Sequence, residues 1–116
     1  MAFTLTINGT EHQFKFGMRF IRELDKTKEV DANGVKFGVG VEMGINRLVS
    51  MNDPEALEDI LISANAAADE KLTVEEMDAY LEDDNTNIDE LTEKVIDALL
   101  NSKFTSKKVA AAQQSK

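Results

Sequence analysis

The strongest constraint on how this chain folds is the Asn8-Gly9 pair, with a run of alternating residues on each side of it. Phe3, Leu5 and Ile7 alternate with Ala2, Thr4 and Thr6; after the pair, Thr10, His12, Phe14 and Phe16 alternate with Glu11, Gln13 and Lys15. Asn-Gly tolerates positive φ at both centres of a tight type I′ turn, so the pattern predicts a β-hairpin. A two-residue turn sets Ile7 opposite Thr10, Leu5 opposite His12 and Phe3 opposite Phe14, the register that also gathers the apolar residues on one face. A two-stranded ribbon is marginal in water and needs a cover on that face. Gly17 permits a change of direction, and Met18, Phe20, Ile21 and Leu24 then fall on one side of a helix, with Arg19, Arg22, Glu23 and Lys26 on the other. Phe3, Phe14, Phe16, Phe20 and Leu24 are therefore the expected core of the unit.

The 116 residues read as one mostly helical α+β domain over 1–104, a hairpin-helix unit over 1–27 and a helical part over 38–104, followed by a basic tail over 105–116 free to fray. The chain has no cysteine, which removes disulfides, thiolate nucleophiles and zinc–thiolate sites together. No stretch approaches the apolar length of a membrane span and the first residues lack a secretory pattern, so a soluble intracellular protein is expected. The net charge of −9 is uneven: residues 1–50 carry six acids and seven bases, residues 51–100 sixteen acids and two bases, and residues 101–116 four lysines and no acid. So acidic a middle is a poor surface for nucleic acid, whose affinity comes from cations on phosphate. It reads as a set of solvated helix faces, or more sharply as a docking surface for a basic partner.

From Lys26 to Asn33 the chain is polar, and Asn33-Gly34 is a second turn signal. Two patterns then compete. Val35, Phe37, Val39, Val41 and Met43 alternate as a strand would, whereas Val41, Ile45, Leu48 and Val49 form a helical stripe. The expected resolution is an extended segment to about Gly38 and a helix from about Val39 to Met51, weakened by about 1 kcal/mol at each of its glycines. Asp53-Pro54-Glu55 opens a helix with stripe Leu57, Ile60, Leu61, Ala64 and Ala68. Thr73-Val-Glu-Glu76 is a capping box opening another, with Met77, Tyr80 and Leu81 inside. Asn87 caps a third, whose apolar face holds Ile88, Leu91, Val95, Ala98 and Leu99.

No catalytic, cofactor or metal residue is assigned. Asp83, Asn85 and Asn87 fit the start of a calcium loop, but the glycine position holds Ile88 and the bidentate glutamate position holds Lys94. His12, the one histidine, reads as a partly exposed sheet residue, and no nucleophile elbow accompanies it. Gly38 and Gly40 lack the third glycine of a dinucleotide loop and read as backbone permissiveness. The last helix carries more apolar surface than a small core needs, which makes Leu91, Val95, Ile96, Leu99, Leu100 and Phe104 the candidate partner-binding residues.

The run Thr4-Leu-Thr-Ile-Asn-Gly-Thr-Glu-His-Gln-Phe-Lys-Phe-Gly17, then Phe20-Ile-Arg-Glu-Leu24, Asn33-Gly34-Val35 and Asn52-Asp-Pro-Glu-Ala-Leu57-Glu-Asp-Ile-Leu61, resembles the tail assembly chaperones of long-tailed, siphovirus-type phages and prophages of Gram-positive bacteria. The resemblance weakens after about Ala68. The residues themselves read as a hairpin packed on about five helices that acts by binding, with no cofactor, metal, nucleic acid or membrane expected, and the resemblance implies a non-enzymatic helper. Such a helper coats the apolar tape measure protein and assists tail tube polymerisation around it. The resemblance further implies tail tube protein recruited through a frameshifted longer form, action in the host bacterial cytoplasm, and absence from the mature virion. Self-association is expected on other grounds, because a two-stranded ribbon leaves free edges and the last helix carries surplus apolar surface. Two other readings stay open: a structural morphogenesis protein such as a head–tail connector, and an acidic nucleic-acid mimic.

Overall fold

Asn8 and Gly9 take φ of 53° and 77°, as the tight turn requires. Strands β1 (Ala2–Ile7) and β2 (Thr10–Lys15) consequently pair with Phe3 opposite Phe14, Leu5 opposite His12 and Ile7 opposite Thr10, the expected register. Phe3 stacks on Phe14 with ring centroids 5.3 Å apart, and Phe16 meets Phe20 of helix α1 (Met18–Asp25) edge to face at 5.0 Å. Phe14, Phe16, Phe20 and Leu24 are buried and Phe3 packs against them, so the expected core forms. The computed structural model describes residues 2–114. Met1 of the hairpin unit and Ser115 and Lys116 of the tail lie outside the described residues.

The polar segment after Lys26 holds a second hairpin that the sequence reading missed. Strands β3 (Glu29–Ala32) and β4 (Val35–Gly38) pair through Asn33-Gly34, at φ of 54° and 82°, with Val30 opposite Phe37 and Ala32 opposite Val35. Val35 to Gly38 is therefore a strand rather than an unpaired lead-in. Two short strands without a buried face are weakly marked, by the turn pair and by an alternation over Val35 and Phe37 that competes with the helical stripe after it. Helix α2 (Gly40–Met51) follows within a residue of the expected start. Gly38 and Gly40, at this junction, serve close approach rather than positive φ. A Cβ on Gly40 would lie 1.8 Å from the Leu24 carbonyl oxygen, and one on Gly38 would lie 2.7 Å from the Asp25 Cβ. That contact lets Asp25 accept a hydrogen bond from the Val41 N–H at 2.9 Å, tying α1 to the start of α2.

Helix α3 (Pro54–Asn65) occupies the centre, touching β2, α1, α2, α4 and α5. Asp53 caps it by accepting from the Glu55 and Ala56 N–H groups, while its other oxygen meets Arg47 Nε at 2.9 Å. Helices α4 (Val74–Glu82) and α5 (Ile88–Asn101) begin at the expected caps, with the Thr73–Glu76 box complete. At the far end of α3 the buried Asn65 works as a latch. It donates to the Gln13 and Glu70 carbonyls at 3.0 and 3.3 Å and accepts from the Leu72 N–H at 2.8 Å. His12 is buried rather than partly exposed, with Nδ1 3.2 Å from the Glu70 carbonyl, because the α3–α4 connection folds across the hairpin face.

The fold class is the expected mostly helical α+β, with six helices among the described residues. The sixth, α6 (Ser106–Gln114), stands where a fraying tail was expected. Val109 and Ala112 are buried against α2 and α5, and Lys108 pairs with Glu42 at 2.6 Å. The α5–α6 turn is fastened to the hairpin unit by Ser102, whose hydroxyl donates to the Phe16 carbonyl at 2.8 Å.

Candidate interaction surface

The six residues proposed as a contact face divide once α5 is seated. Leu91, Val95 and Leu99 are buried in the chain's own core and Ile96 and Leu100 lie half-buried at its margin, leaving Phe104 exposed. The breadth of the apolar face has a physical cause: α5 packs on α3 along one side and on α6 along another. A helix with two neighbours needs more than one stripe.

Exposed apolar surface is concentrated elsewhere. In the β3–β4 hairpin, directly opposed residues share a face, so Val30, Phe37, Ala32 and Val35 form one side and Asp31 and Lys36 lie on the other. Every residue of both strands is exposed, including Phe37 at 52%. At the foot of this arm, where β4 turns into α2, a groove of about 240 Å³ runs between α1, α2 and the α5–α6 turn. Met18, Ile21, Val41 and Phe104 line it, and Glu42 and Lys108 stand at it as an ion pair. The sequence signal for the arm was Asn33-Gly34 flanked symmetrically by Ala32/Val35 and Val30/Phe37. No pattern marks the groove, since its walls come from distant segments.

The acidic middle section folds into α3, α4 and α5, with one strongly shifted group. Desolvation by burial, reinforced by the Asp78 carboxyl across the α3–α4 cleft, raises Glu58 from 4.5 to about 7. Asp59 is also raised, by desolvation first. Asp53 is lowered by its hydrogen bond with Arg47, and Glu76 by the Thr73 backbone N–H of the capping box. Among the described residues no cluster of His, Cys, Asp or Glu is arranged to hold a metal ion, and no helix is long and apolar enough to cross a membrane.

An apolar arm, an apolar groove at its foot and a strongly acidic body are the features of a protein that acts on other proteins by binding them. The chain matches the family described as phage tail assembly chaperone protein, TAC, over residues 4–113, and it belongs to that family. Its role is therefore that of a tail assembly chaperone. Neither the curated proteins nor the solved structures returned a match.

Proposed function

We propose that the chain binds the tape measure protein of a siphovirus-type phage or prophage of Gram-positive bacteria and keeps it soluble by covering its apolar helical stripes. The observation that supports this most is the exposed apolar surface on a member of a chaperone family: Val30, Val35 and Phe37 on the arm, Met18 and Phe104 at the groove. Since Leu91, Val95 and Leu99 are committed to the core, the contact surface is assigned to arm and groove. Burial there contributes about 25 cal/mol per Å², so affinity survives moderate salt. The acidic body keeps the complex in solution by charge repulsion. The chaperone acts without catalysis in the host bacterial cytoplasm, self-associates, and leaves before the virion is complete. A frameshifted longer form recruits the tail tube protein.

Co-expression with a tape measure fragment tests the reading. The fragment should be soluble with the chain and insoluble without it. Val35→Ser with Phe37→Ser should lose this effect while changing stability by only about 0.5 kcal/mol, because both sites are exposed. A fragment equally insoluble in both cases overturns the proposal, and recovery of the chain from purified virions favours a connector instead. Sedimentation at micromolar concentration tests self-association, and a monomer throughout would count against it.

A further inference from the structure

The two edges of the β1–β2 hairpin are treated differently. In a hairpin with a two-residue turn, Ile7–Thr10, Leu5–His12 and Phe3–Phe14 exchange the ladder hydrogen bonds, so the N–H and C=O groups of Thr4 and Thr6, and of Gln13 and Glu11 across from them, point outward. On the β2 side the Gln13 carbonyl is taken, by Asn65 donating at 3.0 Å, and α3 packs alongside that strand. On the β1 side, among the described residues, no hydrogen bond leads out from the backbone of Thr4 or Thr6. An edge left open in this way is a template for another strand.

The open edge also faces prepared space. A cleft of about 550 Å³ is lined by Leu5, Thr6 and Ile7 of β1 and by Asn8 of the turn, and by none of β2, so it lies along the free edge. Its opposite wall is the α4–α5 connection and the start of α5, with Tyr80, Asp83, Thr86, Glu90 and Lys94, whose ammonium lies 5.0 Å from the centroid of the Phe3 ring. That wall is braced by Thr86 Oγ1 donating to the Tyr80 carbonyl at 2.6 Å and by the Asn85 N–H donating to Asp83 at 2.8 Å. Residues 82–94 carry six acids and one base, Lys94, whose charge is turned onto the Phe3 ring, so the wall stays acidic on balance.

We infer that the open edge of β1 is a docking site for an extended, basic segment of a partner polypeptide, which adds to the hairpin as a third strand beneath the α4–α5 connection. Main-chain groups of Thr4 and Thr6 supply the pairing, and the acidic wall selects the charge. The same charge argues against a second copy as the occupant. Pairing β1 with its own image would bring two such walls, each with Asp83 and Glu90, towards one another. The inference stands independently of which tail protein the arm and groove engage.

The test uses the full chain, isotope-labelled for NMR, and an acetylated, amidated peptide of alternating lysine and valine. At about 1 mM peptide the Thr4 and Thr6 amide signals should shift, and their hydrogen exchange should slow about tenfold. A glutamate–valine peptide should bind at least about tenfold more weakly. The lysine peptide N-methylated at alternate residues, which cannot complete the ladder, should not bind. Thr6→Pro, which removes an outward N–H and spares the β1–β2 ladder, should abolish binding with the circular dichroism unchanged. Asp83→Asn with Glu90→Gln, at exposed positions, gives a second readout and should weaken binding about tenfold, whether or not the proline variant folds. Unmoved Thr4 and Thr6 amides, or equal binding of the methylated or acidic peptide, overturn the inference. So does exchange protection of these amides that grows with protein concentration alone, since a second copy would then hold the edge.

Discussion

Single side chains carry most of their weight here through contacts with segments far along the chain. Phe14 is fully buried between Phe3 and the hydrophobic cluster, so Phe14→Ala should cost about 3–5 kcal/mol, a large share of the stability of so small a domain. Thermal melting checks this, and a midpoint unchanged within about two degrees would refute the placement. Two glycines of one helix should respond in opposite directions. A Cβ on Gly44 would meet Leu24 and Ile60 at 3.7 to 3.9 Å, ordinary contact, so Gly44→Ala should stabilise by about 0.5–1 kcal/mol through helix propensity. Gly40→Ala would drive its methyl into the Leu24 carbonyl and should destabilise, to be read by denaturant unfolding of both variants. Reading Gly38 and Gly40 as backbone permissiveness was incomplete, because only the folded chain brings Asp25 and Leu24 against them.

Among the elements, those announced by local chemistry are where the sequence puts them: the first hairpin with its register, the Asp53, Thr73 and Asn87 caps, and the helices that follow. The elements it concealed, β3 and α6, lack an apolar stripe. Glu29 to Ala32 offers no buried residue at all, and α6 has two, Val109 and Ala112, three positions apart in a run of good helix formers. Short helices of this kind are held by tertiary contact rather than by propensity. Val109→Ser should therefore cost on the order of 2 kcal/mol and loosen the whole of α6. Hydrogen exchange of the α6 amides should rise above that of α5, whereas unchanged protection would show that α6 holds without its seat on α2 and α5.

At the scale of the whole molecule, charge decides how stability varies with pH. Glu58 has its folded pKa raised above the unfolded value, so its contribution is fully present below about 4.5 and is lost as pH rises through about 7. Asp53 and Glu76 are lowered; their contributions are present above their ordinary values and are lost as pH falls through the folded ones. Stability should peak between these windows. The melting temperature should fall from about pH 5.5 to about pH 8, and fall less in Glu58→Gln, with the difference reduced by the solvent access of the pair. An equal fall in both proteins would show that Glu58 does not carry the effect.

What the sequence determined by itself is what neighbours in the chain decide together. The Asn8-Gly9 turn and its flanking alternation set a register, cap residues set helix starts, and their order carried the likeness to the tail assembly chaperones to which the chain belongs. What tertiary structure alone decided is which surfaces remain open. Leu91, Val95 and Leu99 read as surplus on an isolated helix, and became core once α3 and α6 closed on two of its sides. Phe37 read as part of an indistinct apolar run, and became the exposed face of an arm. Burial depends on which distant segments meet, and periodicity along one segment records how wide its apolar face is without recording how many neighbours will cover it.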